Sequence, residues 1–122
     1  MSFLAPKNAV TMTRGTSKTL ALSVTRDDGS VPNLTGAKIA FTLKAAITDD
    51  RVVVVKTSSK PSEVWITDPG GGKAEIYLIP GDTKNLPIRQ YVYDIWVQLA
   101  AGERYAVVPP TTLDLQLGAT VL

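Results

Sequence analysis

Nine consecutive residues, Tyr91-Val92-Tyr93-Asp94-Ile95-Trp96-Val97-Gln98-Leu99, alternate with a period that only an extended strand explains. Strand side chains point to opposite faces in turn, so Tyr91, Tyr93, Ile95, Val97 and Leu99 share one face. Val92, Asp94, Trp96 and Gln98 share the other. The first set is apolar enough to meet a core, and the second is mixed and faces outward. β-Branched and aromatic residues suit such a half-buried pleated surface. No segment of about ten residues carries a helical period, so a chain built around this strand has to be mostly sheet.

The remaining segments follow the same rule. Asn8–Thr13 reads as a short first strand and Lys18–Thr25 as a second, with Leu20, Leu22 and Val24 inward. Ala37–Lys44 places Ile39, Phe41 and Leu43 inward. Arg51–Thr57 contains the unbroken run Val52-Val53-Val54-Val55, which predicts a strand covered on both faces. Val64–Thr67 is brief, and Lys73–Ile79 turns Ala74, Ile76 and Leu78 inward. Arg104–Val108 is followed by Pro109-Pro110, then by Thr111–Leu117 with Leu113, Leu115 and Leu117 on one side. The proline pair predicts that the last strand switches sheets or leaves to join a neighbouring chain. Turn chemistry separates these segments at Asp27-Asp28-Gly29-Ser30 and Asp68-Pro69-Gly70-Gly71-Gly72. One helical turn is expected near Pro80–Leu86, capped by Gly81 or Asp82. Eight or nine short strands with such turns between them predict an all-β antiparallel sandwich. The 122 residues form one domain over residues 8–122, preceded by an arm at residues 1–7.

Just before the long strand lies Pro80-Gly81-Asp82-Thr83-Lys84-Asn85-Leu86-Pro87. A tyrosine that opens a strand after such a connection is placed to bond back to its backbone. That is the tyrosine corner of immunoglobulin-like sandwiches. Tyr91 is therefore the expected structural corner, and its strand is expected to play the part of strand F, a central strand, in an immunoglobulin-like fold of about eight strands.

Composition narrows the chemistry. The chain has no Cys and no His, which excludes disulfides, thiolate catalysis, Cys/His zinc sites and imidazole bases. Thirteen basic and eleven acidic residues leave a net charge of +2, too balanced for a nucleic-acid footprint. No 18-residue apolar run exists to span a membrane. The first seven residues lack the apolar core of a secretory signal, so synthesis and folding in a cytoplasm are expected.

The local motifs carry little chemistry. The glycine run before Lys73 lacks the leading Gly and trailing Ser or Thr of a phosphate loop, since Thr67 and Ala74 stand there. Asp27-Asp28 and Asp49-Asp50 sit in turns, without the alternating pattern of a calcium loop. Asn33-Leu34-Thr35, in the connection before the third strand, matches a glycosylation triplet, but without a secretory signal the chain is not expected to meet that machinery. Asp94, mid-strand between aromatics, is read as an outward carboxylate bonded to a neighbouring strand or loop. No enzyme, cofactor or metal is expected. The aromatics matter more. Trp65, Tyr77 and Trp96 point away from the core, and exposed Trp is enriched at interfaces. With Val52 and Val54 they are the candidate interface residues. A sugar-stacking platform built from Trp65, Tyr77 and Trp96 is the alternative use.

The ordered string Thr13-Arg14-Gly15-Thr16, Asp28-Gly29, Leu34-Thr35-Gly36-Ala37, Ile39–Lys44, Ile66-Thr67-Asp68, Ile79–Thr83 and Tyr91–Ile95 resembles the small immunoglobulin-like domains of tailed-phage virions. It is most similar to the N-terminal domain of baseplate upper proteins and related short phage or prophage proteins. Thr16 stands where the family often has Asp, and Gln90 where it often has Gly. The resemblance implies a non-enzymatic virion component, made in the host bacterial cytoplasm. It would attach to other virion proteins in the tail, baseplate or fibre-attachment region, as one copy of a homo-oligomeric ring or array. Decoration of the capsid head is the alternative placement.

Overall fold

The computed structural model describes residues 9–120. The expected arm at residues 1–7 lies outside the described residues. Eight strands form in chain order: β1 (Val10–Thr13), β2 (Lys18–Ser23), β3 (Lys38–Lys44), β4 (Val54–Thr57), β5 (Val64–Asp68), β6 (Lys73–Leu78), β7 (Gln90–Gln98) and β8 (Arg104–Gln116). A single helical turn, α1 (Pro80–Thr83), precedes β7. A five-stranded sheet runs β1-β8-β7-β3-β4, and a three-stranded sheet runs β2-β6-β5. All neighbours are antiparallel except β1 and β8, which are parallel. This two-sheet order, with the long strand central in the larger sheet, is an immunoglobulin-like sandwich of the variable arrangement, in which an extra strand flanks β3.

The corner forms as expected. The Tyr91 hydroxyl donates to the Pro87 carbonyl at 2.6 Å, while the residue is 2% exposed. Burial pushes its phenol pKa up. Two residues on, Tyr93 occupies the position where immunoglobulin domains carry the second cysteine of their inter-sheet disulfide. Its ring packs against Phe41 of β3, centroids 5.2 Å apart. Both residues belong to the five-stranded sheet, so the pair packs in the core without linking the two sheets as that disulfide does. Around it the predicted inward sets of β3, β6 and β7 are buried, with Leu22 and Val24 from the second strand segment and Leu113 and Leu115 from β8.

Four expectations fail, each for a local reason. The valine run is not covered on both faces. It forms the outer strand of its sheet, where Val54 faces inward opposite Leu43 and Val52 and Val55 are half exposed. The proline pair does not redirect the chain. β8 stays beside β7 on both sides of it, with Pro109 and Pro110 absorbed in a bulge opposite Asp94. Proline is tolerated at bulges, where a ladder hydrogen bond is already missing. Leu117 lies beyond β8 and is exposed. The helical turn is capped by Ile79, whose N–H donates to the Asp82 carboxylate at 2.8 Å. Asp82 is the third helical residue rather than the cap.

Asp82 also binds Lys56 of β4 at 2.8 Å. The Lys56 side chain is 7% exposed and that of Asp82 15%. The pair ties the edge strand of the large sheet to the turn before β7. The turn is fixed from a second side by β1's end: Gly15 N–H donates to Thr83 Oγ1 at 2.9 Å, and Arg14 Nη1 donates to the Leu86 carbonyl at 3.2 Å. At the opposite end Gly72 has φ +66°, and a Cβ there would sit 2.7 Å from the Val24 carbonyl oxygen. Only glycine closes that turn.

Removing one member of a buried ion pair strands the other's charge. Lys56→Met should lower unfolding free energy by about 3 kcal/mol. Adding Asp82→Asn, which keeps an acceptor for Ile79, should recover most of it. Urea unfolding of both variants checks this; a Lys56→Met protein as stable as the parent would contradict it.

Candidate interaction surfaces

The five interface candidates do not come together. Trp65 and Tyr77 lie on the outer face of the three-stranded sheet, where Trp65 pairs with Glu75 and the Tyr77 hydroxyl donates to Glu75 Oε1 at 3.1 Å. Trp96 lies on the outer face of the five-stranded sheet, across the sandwich. Its side chain therefore cannot complete a platform with the other two. Val54 belongs to the core, and Val55 takes the outward place assigned to it. A strand shows alternate residues to each face, so a one-residue error in phase exchanges the two. Val52 precedes β4 and is exposed.

What the structure does assemble is an apolar patch on the five-stranded sheet. Trp96 of β7 is flanked by Ala40 of β3 and Ala106 of β8. Val55 of β4 is opposite Thr42 one row below, and Val92 is opposite Lys44 one row further. Trp96 is 47% exposed, Val55 50% and Ile47, in the β3–β4 connection, 55%. Small Ala40 and Ala106 on either side leave the indole standing proud of the sheet. Its Nε1–H donates to Asp94 Oδ2 at 3.0 Å, two residues away on the same face. The Asp94 carboxylate thus bonds within its own strand rather than to a neighbouring strand or loop as expected, and it orients the tryptophan. Two shallow grooves meet at Ala40 and Trp96. One, of about 310 Å³, runs toward Lys44, Ile47 and Val92. The other, of about 600 Å³, runs toward Lys38, Ser58 and Arg104.

The sequence reading did not single out Val55, Ile47 or the cations. Ile47, in the short apolar stretch Ala45-Ala46-Ile47 next to a turn, was a readable signal.

Elsewhere the polar groups are committed to turns. Asp28 Oδ1 accepts from the Ser30 N–H and hydroxyl, which hold its pKa below the ordinary carboxylate value. Asn33 Oδ1 accepts from the Thr35 N–H and hydroxyl. Asp49 Oδ1 accepts from Arg51 N–H. Among the described residues no three carboxylates gather as a metal site would need. The Asp68 carboxylate accepts from Gly71 N–H, so the glycine run is a self-bonded turn.

No family model and no curated protein matches this chain. Among solved structures, that of murine CRIg aligns over 96% of this chain and 97% of its own, at 12% identity and a TM-score of 0.43. The fold assignment made above stands on strand order and the tyrosine corner.

Burial raises the Tyr93 phenol from 10.0 to about 12. A folded pKa above the unfolded one means the folded state holds the proton more tightly. The resulting stability is complete below pH 10 and is lost as pH rises from 10 toward 12. Phenolate absorbance across an alkaline titration should show Tyr93 as the last of the four tyrosines to ionise, with unfolding free energy falling over the same window. Replacement by Phe should flatten that fall; an unchanged slope would contradict the assignment.

Proposed function

We propose that this protein is a non-enzymatic attachment module of a bacteriophage virion, docking on other virion proteins through the outer face of its five-stranded sheet. The observation that carries the docking reading is the indole of Trp96, held upright by Asp94 among Ala40, Val55, Val92 and Ile47. Exposed tryptophans in apolar surroundings are what interface hot spots are made of. The virion setting rests on the sequence resemblance to baseplate-type domains, which extends from about Thr11 to Leu117. Tail, baseplate or fibre-attachment placement is preferred to head decoration on the same ground. A ring of copies is the expected arrangement, and the host bacterial cytoplasm the expected place of synthesis. Sugar binding is less well supported, because Trp96 lies on the sheet opposite Trp65 and Tyr77.

Particles purified from the bacterium that encodes this chain should contain it, at a copy number per particle that matches a tail or baseplate symmetry. The parent protein should be retained through gradient purification, and a Trp96→Ala version should be depleted at least tenfold, since losing an interface anchor costs about 2 kcal/mol or more. Particles free of the protein would overturn the proposal, as would undiminished incorporation of the variant.

A further inference from the structure

The grooves beside Trp96 are bordered by cations. Lys38 and Arg104 flank Gln98 in one row across three strands, and Lys44 is opposite Val92 at the other end. Among the described residues, none of the three has a carboxylate within ion-pair distance. The one carboxylate in the grooves, Asp94, already accepts from the Trp96 indole. The other strand carboxylate on this face, Asp114, lies next to β1, outside both grooves. The patch is therefore an apolar centre with unpaired cations at both ends and a single carboxylate, Asp94, so that positive charge predominates around it.

We infer that the partner of this face is a different protein, presenting an apolar side chain ringed by Asp or Glu. This rests on the docking reading above and specifies its partner. A second copy of the same face does not fit. Face-to-face pairing would set six cations against only two Asp94 carboxylates, and an excess of like charge across an interface is costly. Acidic residues around an apolar knob would satisfy Lys38, Lys44 and Arg104 while Trp96 fills the centre. Such complementarity also steers encounter and makes association sensitive to salt.

The test uses a surface-displayed library of random peptides, selected on the immobilised protein and counter-selected on Trp96→Ala. Recovered peptides are then measured by fluorescence anisotropy. The inference expects enrichment of Asp and Glu beside an aromatic or aliphatic residue. It also expects at least about tenfold weaker binding to Lys38→Gln/Lys44→Gln/Arg104→Gln and in high salt, as screened or deleted charge pairs produce. The neutral triple variant changes only strand residues outside the core, Lys38 and Arg104 exposed and Lys44 partly buried, and Lys38→Glu/Lys44→Glu/Arg104→Glu serves as a second. Trp96-dependent peptides without an acidic bias, or bound equally by both triple variants, would overturn the inference and leave the docking reading intact. A selection yielding no Trp96-dependent peptide would remove both. Alginate, an anionic polysaccharide, should bind much more weakly than the peptides; equal Trp96-dependent binding would overturn the protein-partner inference in favour of a sugar.

Discussion

The hydrogen bond from the Tyr91 hydroxyl to the Pro87 carbonyl sets the phase of the central strand. Its ring is buried and its hydroxyl can be satisfied only by the connection it has just left. A buried hydroxyl without a partner would be costly, so the bond and the burial require each other. Once Tyr91 is fixed inward, alternation fixes Tyr93, Ile95 and Val97 inward and Asp94 and Trp96 outward. β7 is paired with β3 on one side and β8 on the other, so its phase also decides which residues of those strands face the core. The docking face is the reverse side of the same decision.

The connection before β7 is held by three contacts from two sides. Asp82 binds Lys56 across the sandwich edge, Thr83 accepts from Gly15, and the Leu86 carbonyl accepts from Arg14. These contacts do the positioning that the inter-sheet disulfide shares in many immunoglobulin domains. The Phe41–Tyr93 pair adds aromatic packing on the inner face of the five-stranded sheet. A chain without cysteine thus reaches the same sandwich through packing, one corner bond and one buried ion pair. None of this depends on the redox state of the compartment.

Much of the fold was legible because strands with one buried face write their period into the sequence. Residues 39–43, 74–78 and 91–97 alternate cleanly, and the structure places them as read. The valine run had no period to read, so its phase was lost and Val54 was assigned to the surface in place of Val55. Leu34 sat in a segment that looked like pure connection, yet it is fully buried, with its N–H donating to the Pro69 carbonyl. The parallel β1–β8 pair and the Lys56–Asp82 bridge join residues distant in sequence, and no local pattern encodes them. The same limit explains the interface candidates. Alternation says that Trp65, Tyr77 and Trp96 point outward, but only the strand order says that they leave from opposite sheets.

The central claim is that the two faces of β7 have separate tasks, the inner one holding the fold and the outer one meeting a partner. Urea unfolding of Tyr91→Ala beside Trp96→Ala tests it most directly. The account predicts a loss of about 3–5 kcal/mol for Tyr91→Ala, as for large aromatics cut from a core. It predicts a loss below about 1 kcal/mol for Trp96→Ala, as for a surface residue bonded only to its own strand. Comparable losses for the two would show that Trp96 serves the fold rather than an interface, and would contradict the account.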